Sequence, residues 1–230
     1  MSPDDTPADD TPADDTPAGD NAAGSERQLR EQIATLAASL FDRGLTAGSS
    51  GNISVRLPDG ILVTPTNSCL GRLDPDRISK VDPLGNLISG DKPSKEAFLH
   101  HSVYSVRDSD HAIVHLHSTH SVAVSCLADI DDRDVLPPIT AYYVMRVGRL
   151  PMVPYFPPGD PLLAGAVETA ARHAHAVLLA NHGPVVASKD LNAAVNAIEE
   201  LEETAKLFLM LRGERTKFLT AEQADQLRSR

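Results

Sequence analysis

Two long stretches of the chain repeat apolar residues with the spacing of an α-helix. The first follows Ser25, where Ser-Glu-Arg-Gln is typical of a helix-capping box, and it ends at Gly44. The second runs from about Asp190 to Arg212 and is followed by Gly213. Because the apolar positions recur every three or four residues, each predicted helix has one face that packs on a core. The apolar positions are Leu29, Ile33, Leu36, Ala37, Leu40 and Phe41 in the first helix, and Leu191, Ala194, Val195, Ile198, Leu201, Ala205 and Phe208 in the second.

Between these helices the pattern changes to short β-rich runs that are separated by turn residues. Residues 53–57 and 61–64 flank Pro58, Asp59 and Gly60, which predicts a hairpin. A second turn is predicted at residues 82–86, and residues 176–180 have the composition of a strand.

Two shorter helices are predicted from their start signals. Ser94 is placed to cap one of them, with Glu96 in its first turn. The other has Asp160 as its cap and proline at its first position. Short strands with turn links, interspersed with helices, predict an α/β fold, namely a single layered domain with a central, largely antiparallel sheet flanked by helices.

Three of the nine histidines fall within six residues, directly behind an apolar run. Side chains two apart in a strand share one face, so His115 and His117 are expected to project together. His120 is off this alternation and is predicted to be structural or to line a pocket. A catalytic zinc site takes three protein ligands and keeps an open position. The third ligand is predicted to be His182, which follows the strand at residues 176–180 and precedes a glycine. From the residues alone, a pair of hydrogen-bonded core histidines remains an alternative.

Four further histidines are not predicted to be metal ligands. His100 and His101 are adjacent on a predicted helix and cannot both face one site, and His173 and His175 lie at a helix end. All four are therefore predicted to have structural or solvent-exposed roles.

Composition and charge exclude several classes of function. The chain has 230 residues, 41% hydrophobic and 23% charged, which fits one globular domain, and no apolar run is long enough to span a membrane. The net charge is −11, but the first twenty residues hold seven aspartates and no lysine or arginine, so the remainder carries only −4. With no basic stripe, a nucleic-acid partner is not expected. Cys69 and Cys126 form no metal or disulfide pattern, which favours the cytoplasm.

The ends of the chain are predicted to lie outside the domain. The sequence Asp-Asp-Thr-Pro-Ala occurs three times in residues 4–18, and an acidic, proline-rich segment cannot bury enough apolar surface to fold. We therefore predict a disordered tail at residues 1–24, a catalytic domain at residues 25–213 and a C-terminal tail at residues 214–230.

Five short motifs, in their order along the chain, carry a resemblance to a known family. They are GNIS at residues 51–54, VTPT at 63–66, PSKE at 93–96, HLH at 115–117 and NHG at 181–183. With them, residues 25–213 resemble the class II aldolase/adducin family. The resemblance implies that His115, His117 and His182 bind a metal ion and that Glu96 is the catalytic carboxylate, which also contacts the metal. Aldolases of the family carry a small hydroxyl residue where this chain has Lys95.

Within the family, residues 136–160 are similar to a branch that decarboxylates 3-oxo-tetronate 4-phosphates. This similarity implies that the chain releases CO2 and dihydroxyacetone phosphate, with one Zn²⁺ per chain that stabilises an enediolate, although Mn²⁺ or Co²⁺ also suits such ligands. It further implies a homotetramer whose sites lie between subunits, and the roles of four residues in this segment stay open. These residues are Tyr142, Tyr143, Arg146 and Arg149.

The phosphorylated sugar acid that this activity requires needs amide and hydroxyl donors in the chain. Residues 48–52 form a glycine-rich loop that ends at Asn52, Thr66 and Asn67 form a second turn, and Ser94 and Lys95 precede Glu96. These five residues are the predicted substrate and phosphate ligands. Two other functions remain possible at this point: a sugar-phosphate aldolase of the fuculose or ribulose phosphate type, and a non-catalytic scaffold like adducin.

Overall fold

A single eight-stranded sheet organises the computed structural model, which describes residues 18–157 and 159–228. The strand order is β4-β3-β2-β1-β5-β8-β7-β6, and every neighbouring pair is antiparallel except β6 and β7. The predicted α/β class with a largely antiparallel sheet is thus confirmed. The strands are β1 (Asn52–Leu57), β2 (Gly60–Val63), β3 (Ser79–Val81), β4 (Leu87–Ser89), β5 (Ala112–His115), β6 (Met152–Val153), β7 (Ala176–Leu179) and β8 (Gly183–Ser188). The helices are α1 (Ala18–Asp42), α2 (Ala97–Tyr104), α3 (Thr119–Ser125), α4 (Ala141–Arg146), α5 (Pro161–Ala171), α6 (Leu191–Leu211) and α7 (Ala221–Arg228).

The sheet separates two apolar cores, one on each of its faces. Alternating residues of β5 enter different cores: Val114 packs with α1 and α6, whereas Ile113 packs with α2 and α5. This is the arrangement that the period-two geometry of a strand demands when both faces are covered. The domain therefore has three layers, and the middle of the sheet is shielded from solvent on both sides.

Several local structures form as the sequence predicts. The hairpin closes with Leu57 opposite Gly60, and the turn at residues 82–86 joins β3 to β4. The side chains of Asp160 and Asp190 accept hydrogen bonds from backbone amides in the first turns of α5 and α6. Gly44 has a φ of 75°, a left-handed conformation that suits the end of α1.

The ends of the chain differ from the prediction. Helix α1 begins at Ala18, before the capping box at Ser25, while most of the acidic repeat lies outside the described residues. The predicted C-terminal tail contains α7, whose Ala224 is buried against the first core. Helix α7 had a weak sequence signal, because it has only a few apolar positions and packs against α4.

Strand β8 is one of the elements that the sequence did not predict. It lies between β5 and β7 near the centre of the sheet, although it begins with Gly183 and Pro184, residue types that usually argue against a central strand. In the structure the carbonyl oxygen of Pro184 accepts a hydrogen bond from the amide of Leu116 at 3.3 Å. In the ranges that the structure describes, no helix is both long enough and apolar enough to cross a membrane.

Candidate active site

Four side chains converge at the carboxyl end of β5, near the middle of the sheet. His115 is the last residue of β5, His117 lies in the turn that follows, and His182 lies between β7 and β8. Because β5 pairs with β8, with His115 opposite Val185, the chain segment after β5 is brought beside the start of β8. Glu96 comes from the other side of the cluster, at the residue before α2.

One nitrogen or oxygen atom from each of these four side chains lies within 4.8 Å of the other three. The Nε2 atom of His117 is 3.2 Å from that of His115 and 3.0 Å from that of His182. The carboxylate of Glu96 is 3.5 Å from Nε2 of His115 and 3.3 Å from Nε2 of His182. Three imidazoles and one carboxylate are a donor set that Zn²⁺ and other first-row divalent ions accept.

The surroundings keep the imidazoles in the form that binds a metal. The Nδ1 atom of His115 donates to the carbonyl oxygen of Pro184 at 2.8 Å, so the lone pair on its Nε2 faces the cluster. Burial lowers the pKa of His115 to about 4 and also lowers the pKa of His117. Both rings are therefore neutral near pH 7, as metal ligation requires.

Glu96 is a carboxylate in this environment. Burial acts to raise its pKa, but the hydrogen bond with His182, the nearby His115 and a hydrogen bond from Asn52 together hold the pKa well below its usual range. The Nδ2 atom of Asn52 donates to the carboxylate at 2.7 Å. Glu96 was predicted to lie in the first turn of α2, with Ser94 as the cap. In the structure Glu96 itself occupies the cap position. The Ser94 hydroxyl instead accepts from the amide of Glu96 at 3.2 Å.

The two histidines of the HLH motif meet for a different reason from the one predicted. The strand ends at His115, so alternation along a strand does not position His117. Instead, Leu116 is fully buried and its amide bonds to Pro184 of β8, which fixes the turn between the two rings. The proximity of the two rings was predicted correctly, but through the wrong local geometry.

A cavity of about 260 Å³ opens beside this cluster. Glu96 and His117 line it, and so does the glycine-rich loop at residues 49–52. All five predicted substrate ligands line the same cavity, namely Asn52, Thr66, Asn67, Ser94 and Lys95. The cavity thus brings hydroxyl and amide donors and one lysine next to the four converging side chains.

Two glycines allow the backbone to approach the cluster closely. Gly51 has a φ of 81°, and a Cβ atom there would lie 2.8 Å from the carbonyl oxygen of His115. Gly183 has a φ of 156°, and a Cβ atom there would lie 2.3 Å from the carbonyl oxygen of Leu116. Any larger residue at Gly183 must therefore displace the turn that carries His117 or the segment that carries His182.

This close approach predicts the effect of Gly183→Ala. We expect the variant to lose about 1–3 kcal/mol of unfolding free energy through backbone strain, together with weaker metal binding. The matched control is Gly165→Ala in α5, where a Cβ atom meets nothing within 4 Å. Since alanine is the better helix former, the control should gain up to about 1 kcal/mol. Urea denaturation of the metal-free proteins measures both changes, and unchanged stability of Gly183→Ala would contradict the geometry.

Other residues that the sequence singled out lie apart from the cluster. His120 bonds through Nδ1 to Glu202 at 2.8 Å, which agrees with its predicted structural role. Tyr143 is buried, whereas Tyr142 is exposed and lies under the guanidinium of Arg146.

Sequence reasoning missed the contribution of His100. This ring is fully buried, and its Nε2 atom lies 2.5 Å from Oδ1 of Asn52, which in turn bonds to Glu96. The available signal was its spacing, because His100 is four residues after Glu96 and such residues share a helix face.

Comparison with known proteins gives consistent matches. The model of the "Class II Aldolase and Adducin N-terminal domain" family matches residues 31–209. The 3-oxo-tetronate 4-phosphate decarboxylase of Escherichia coli K12 is 50% identical over 205 residues, which are 89% of this chain and 97% of that protein. The L-fuculose phosphate aldolase of Methanocaldococcus jannaschii is 38% identical over 181 residues, which are 79% of this chain and 96% of that protein.

Solved structures show the same fold. A crystal structure of YgbL from Escherichia coli, described as a candidate aldolase, epimerase or decarboxylase, matches with a TM-score of 0.87 and 48% identity. The match covers 89% of this chain and 99% of YgbL. An L-fuculose 1-phosphate aldolase matches with a TM-score of 0.80 and 27% identity, covering 88% of this chain and 95% of the aldolase.

Proposed function

The chain belongs to the class II aldolase and adducin family, and from this premise we propose that it decarboxylates a 3-oxo-tetronate 4-phosphate to dihydroxyacetone phosphate and CO2. The observation that carries the proposal is the convergence of His115, His117, His182 and Glu96 beside the cavity. The 50% identity to the Escherichia coli decarboxylase, over 97% of the length of that protein, supports the choice of substrate.

The metal ion and the assembly are part of this proposal. His115, His117 and His182 would hold one Zn²⁺ per chain, with Glu96 in reach as a further ligand, and Mn²⁺ or Co²⁺ suits the same donors. When bound, the ion supplies Lewis-acid polarisation of a carbonyl oxygen. From the family resemblance we also propose a homotetramer, and from the free Cys69 and Cys126 a cytoplasmic location.

The residues of the chain divide the remaining tasks between them. The glycine-rich loop, Thr66, Asn67 and Ser94 offer donors for the phosphate, and Lys95 adds a positive charge to the cavity that receives an anionic substrate. These contacts fix the substrate with the bond between its first and second carbons next to Glu96. Orientation of this kind lowers the barrier by supplying the reactive geometry in advance.

Glu96 is assigned the proton transfer. Breakage of the bond between the first and second carbons releases CO2, and the electron pair stays on the second carbon in conjugation with the keto group. One proton must then reach that carbon. Negative charge that develops beside Glu96 raises its proton affinity, so a proton taken up from water on this carboxyl group passes to carbon.

Product analysis tests the proposal. Purified protein is supplied with the 3-oxo-tetronate 4-phosphates of the erythronate and threonate series, and CO2, dihydroxyacetone phosphate and aldehydes are measured together. We expect one CO2 for each dihydroxyacetone phosphate, and after dialysis against a chelator a rate below about 1% that returns with Zn²⁺, Mn²⁺ or Co²⁺. Absence of CO2 with a fully loaded protein contradicts the proposal.

The second candidate is a sugar-phosphate aldolase, which is favoured by the 38% identity to an L-fuculose phosphate aldolase. An aldolase would cleave a carbon–carbon bond to release an aldehyde in place of CO2, so the same assay separates the two activities. A scaffold without catalysis, the third possibility, has no physical need for three metal-competent imidazoles beside a carboxylate. It would show far less than one bound ion per chain and no product.

A further inference from the structure

A chain of buried polar side chains runs from the candidate active site into the second core. The Nδ2 atom of Asn52 bonds to Glu96, and the Oδ1 atom of Asn52 lies 2.5 Å from Nε2 of His100. On the other side of the ring, Nδ1 of His100 lies 2.6 Å from the hydroxyl of Ser54. That hydroxyl is 2.9 Å from the hydroxyl of Tyr104. The four residues behind Glu96 therefore form one continuous network.

Burial separates this network from water. Relative exposure is 3% for Asn52, 0% for Ser54 and His100, and 5% for Tyr104. A polar group in such a place must be satisfied by the protein, because a buried donor or acceptor without a partner destabilises the fold. The network therefore allows few alternative arrangements of its hydrogen bonds.

The direction of each bond follows from the chemistry of the partners. Burial lowers the pKa of His100 to about 3, so the ring is neutral and has one donor and one acceptor nitrogen. The amide oxygen of Asn52 can only accept, so Nε2 of His100 donates to it, and Nδ1 accepts from the hydroxyl of Ser54. This arrangement leaves the amide nitrogen of Asn52 facing Glu96, which can only accept.

The reverse arrangement is unfavourable at the Glu96 end. A rotated Asn52 amide would place its oxygen against the Glu96 carboxylate, where two acceptors repel each other. It would also require the other tautomer of His100, with the proton on Nδ1 and an acceptor at Nε2. Glu96 therefore selects the orientation of Asn52, and His100 holds it from the opposite side with a donated hydrogen bond.

We propose that His100 is a positioning residue, which holds Asn52 so that its amide fixes the Glu96 carboxylate for proton transfer. The proposal rests on the proposed function, since Glu96 is assigned the proton transfer there. His100 itself does not line the cavity with Glu96 and His117, so its effect on the reaction passes through Asn52.

Two substitutions of similar polarity separate positioning from a general role in folding. In His100→Gln, the amide nitrogen can reach the place of Nε2 and donate to Asn52. In His100→Asn, the shorter side chain reaches only the place of Nδ1 and leaves Asn52 without its donor. The matched control is His101→Gln, since His101 is the next residue, is half-buried and makes no contact with Asn52 in the described hydrogen bonds.

Turnover is measured as kcat per bound metal ion, so that a smaller fraction of folded or metal-loaded protein does not lower the measured value. We expect His100→Gln and His101→Gln to stay within about fivefold of the unmodified chain, and His100→Asn to lose about 30- to 100-fold in kcat. The KM should change less than about threefold in His100→Gln and His101→Gln, where the predicted substrate ligands stay in place. In His100→Asn the KM should change less than kcat does, because Asn52 is the one predicted substrate ligand that the substitution displaces. Equal kcat for His100→Gln and His100→Asn overturns the proposal, and so does a 30-fold loss in His100→Gln.

A measurement without substrate completes the test. Crystal structures of the variants should keep the Asn52 amide within hydrogen-bond distance of Glu96 in His100→Gln and show it displaced in His100→Asn. An unmoved Asn52 in His100→Asn overturns the proposal even when kcat falls. If the unmodified chain releases no CO2, the proposed function fails, but the crystallographic comparison still reports whether His100 positions Asn52.

Discussion

Replacing His115 by alanine is expected to remove the metal ion and the activity together. The ring is fully buried, it faces both Nε2 of His117 and the Glu96 carboxylate, and its other nitrogen is held by Pro184. Removing it deletes one of three imidazole donors, so we expect metal affinity to fall about a thousandfold or more. Turnover should fall below about 1%, because two imidazoles cannot hold the ion that polarises the substrate.

Competition with a chromophoric chelator measures the metal affinity, and the CO2 assay measures the turnover. The control is His173→Ala, which removes an exposed ring that is not part of the cluster and should leave both values unchanged. A His115→Ala protein that keeps one tightly bound ion per chain would remove this ring from the set of ligands.

Replacing Glu96 by glutamine is expected to separate metal binding from turnover. Glutamine keeps the size of the side chain and an oxygen that can accept from Asn52, but it cannot gain and release a proton at neutral pH. The three imidazoles remain, so metal affinity should stay within about tenfold of the unmodified chain. Loss of the general acid should lower kcat by about 10²- to 10⁴-fold.

The metal content of the Glu96→Gln protein is measured in the same samples as its kcat. An exposed carboxylate provides the control, since Glu222→Gln in α7 changes the same chemical group away from the cavity and should leave kcat unchanged. Normal turnover by Glu96→Gln would show that another group delivers the proton to carbon.

The sequence was most informative where one local signal decides one local structure. Asp160 and Asp190 cap their helices, and Pro58 with Asp59 closes its hairpin, because each of these residue types has a strong preference for that position. The proposed metal ligands could also be predicted, since His115 and His117 lie at and just after the end of one apolar strand and His182 follows another. When two such strands of one sheet run in the same direction, as β5 and β7 do, their carboxyl ends lie on the same side of the sheet.

The sequence was least informative where long-range packing decides the structure. Gly183 and Pro184 argue against a strand, yet β8 forms because β5 and β7 pair with it on both sides. The role of His100 depends on Asn52 and Ser54, which are 48 and 46 residues away along the chain. The spacing of four residues from Glu96 was the local signal, and it does not reveal Asn52 or Ser54, so the adjacent pair of helical histidines was interpreted as structural.

Anomalous diffraction from crystals of the metal-loaded protein, recorded on both sides of the zinc absorption edge, tests the proposed metal site. We expect one anomalous peak per chain at about 2.0–2.1 Å from the Nε2 atoms of His115, His117 and His182. Crystals that contain zinc but show no peak between these three rings would contradict it.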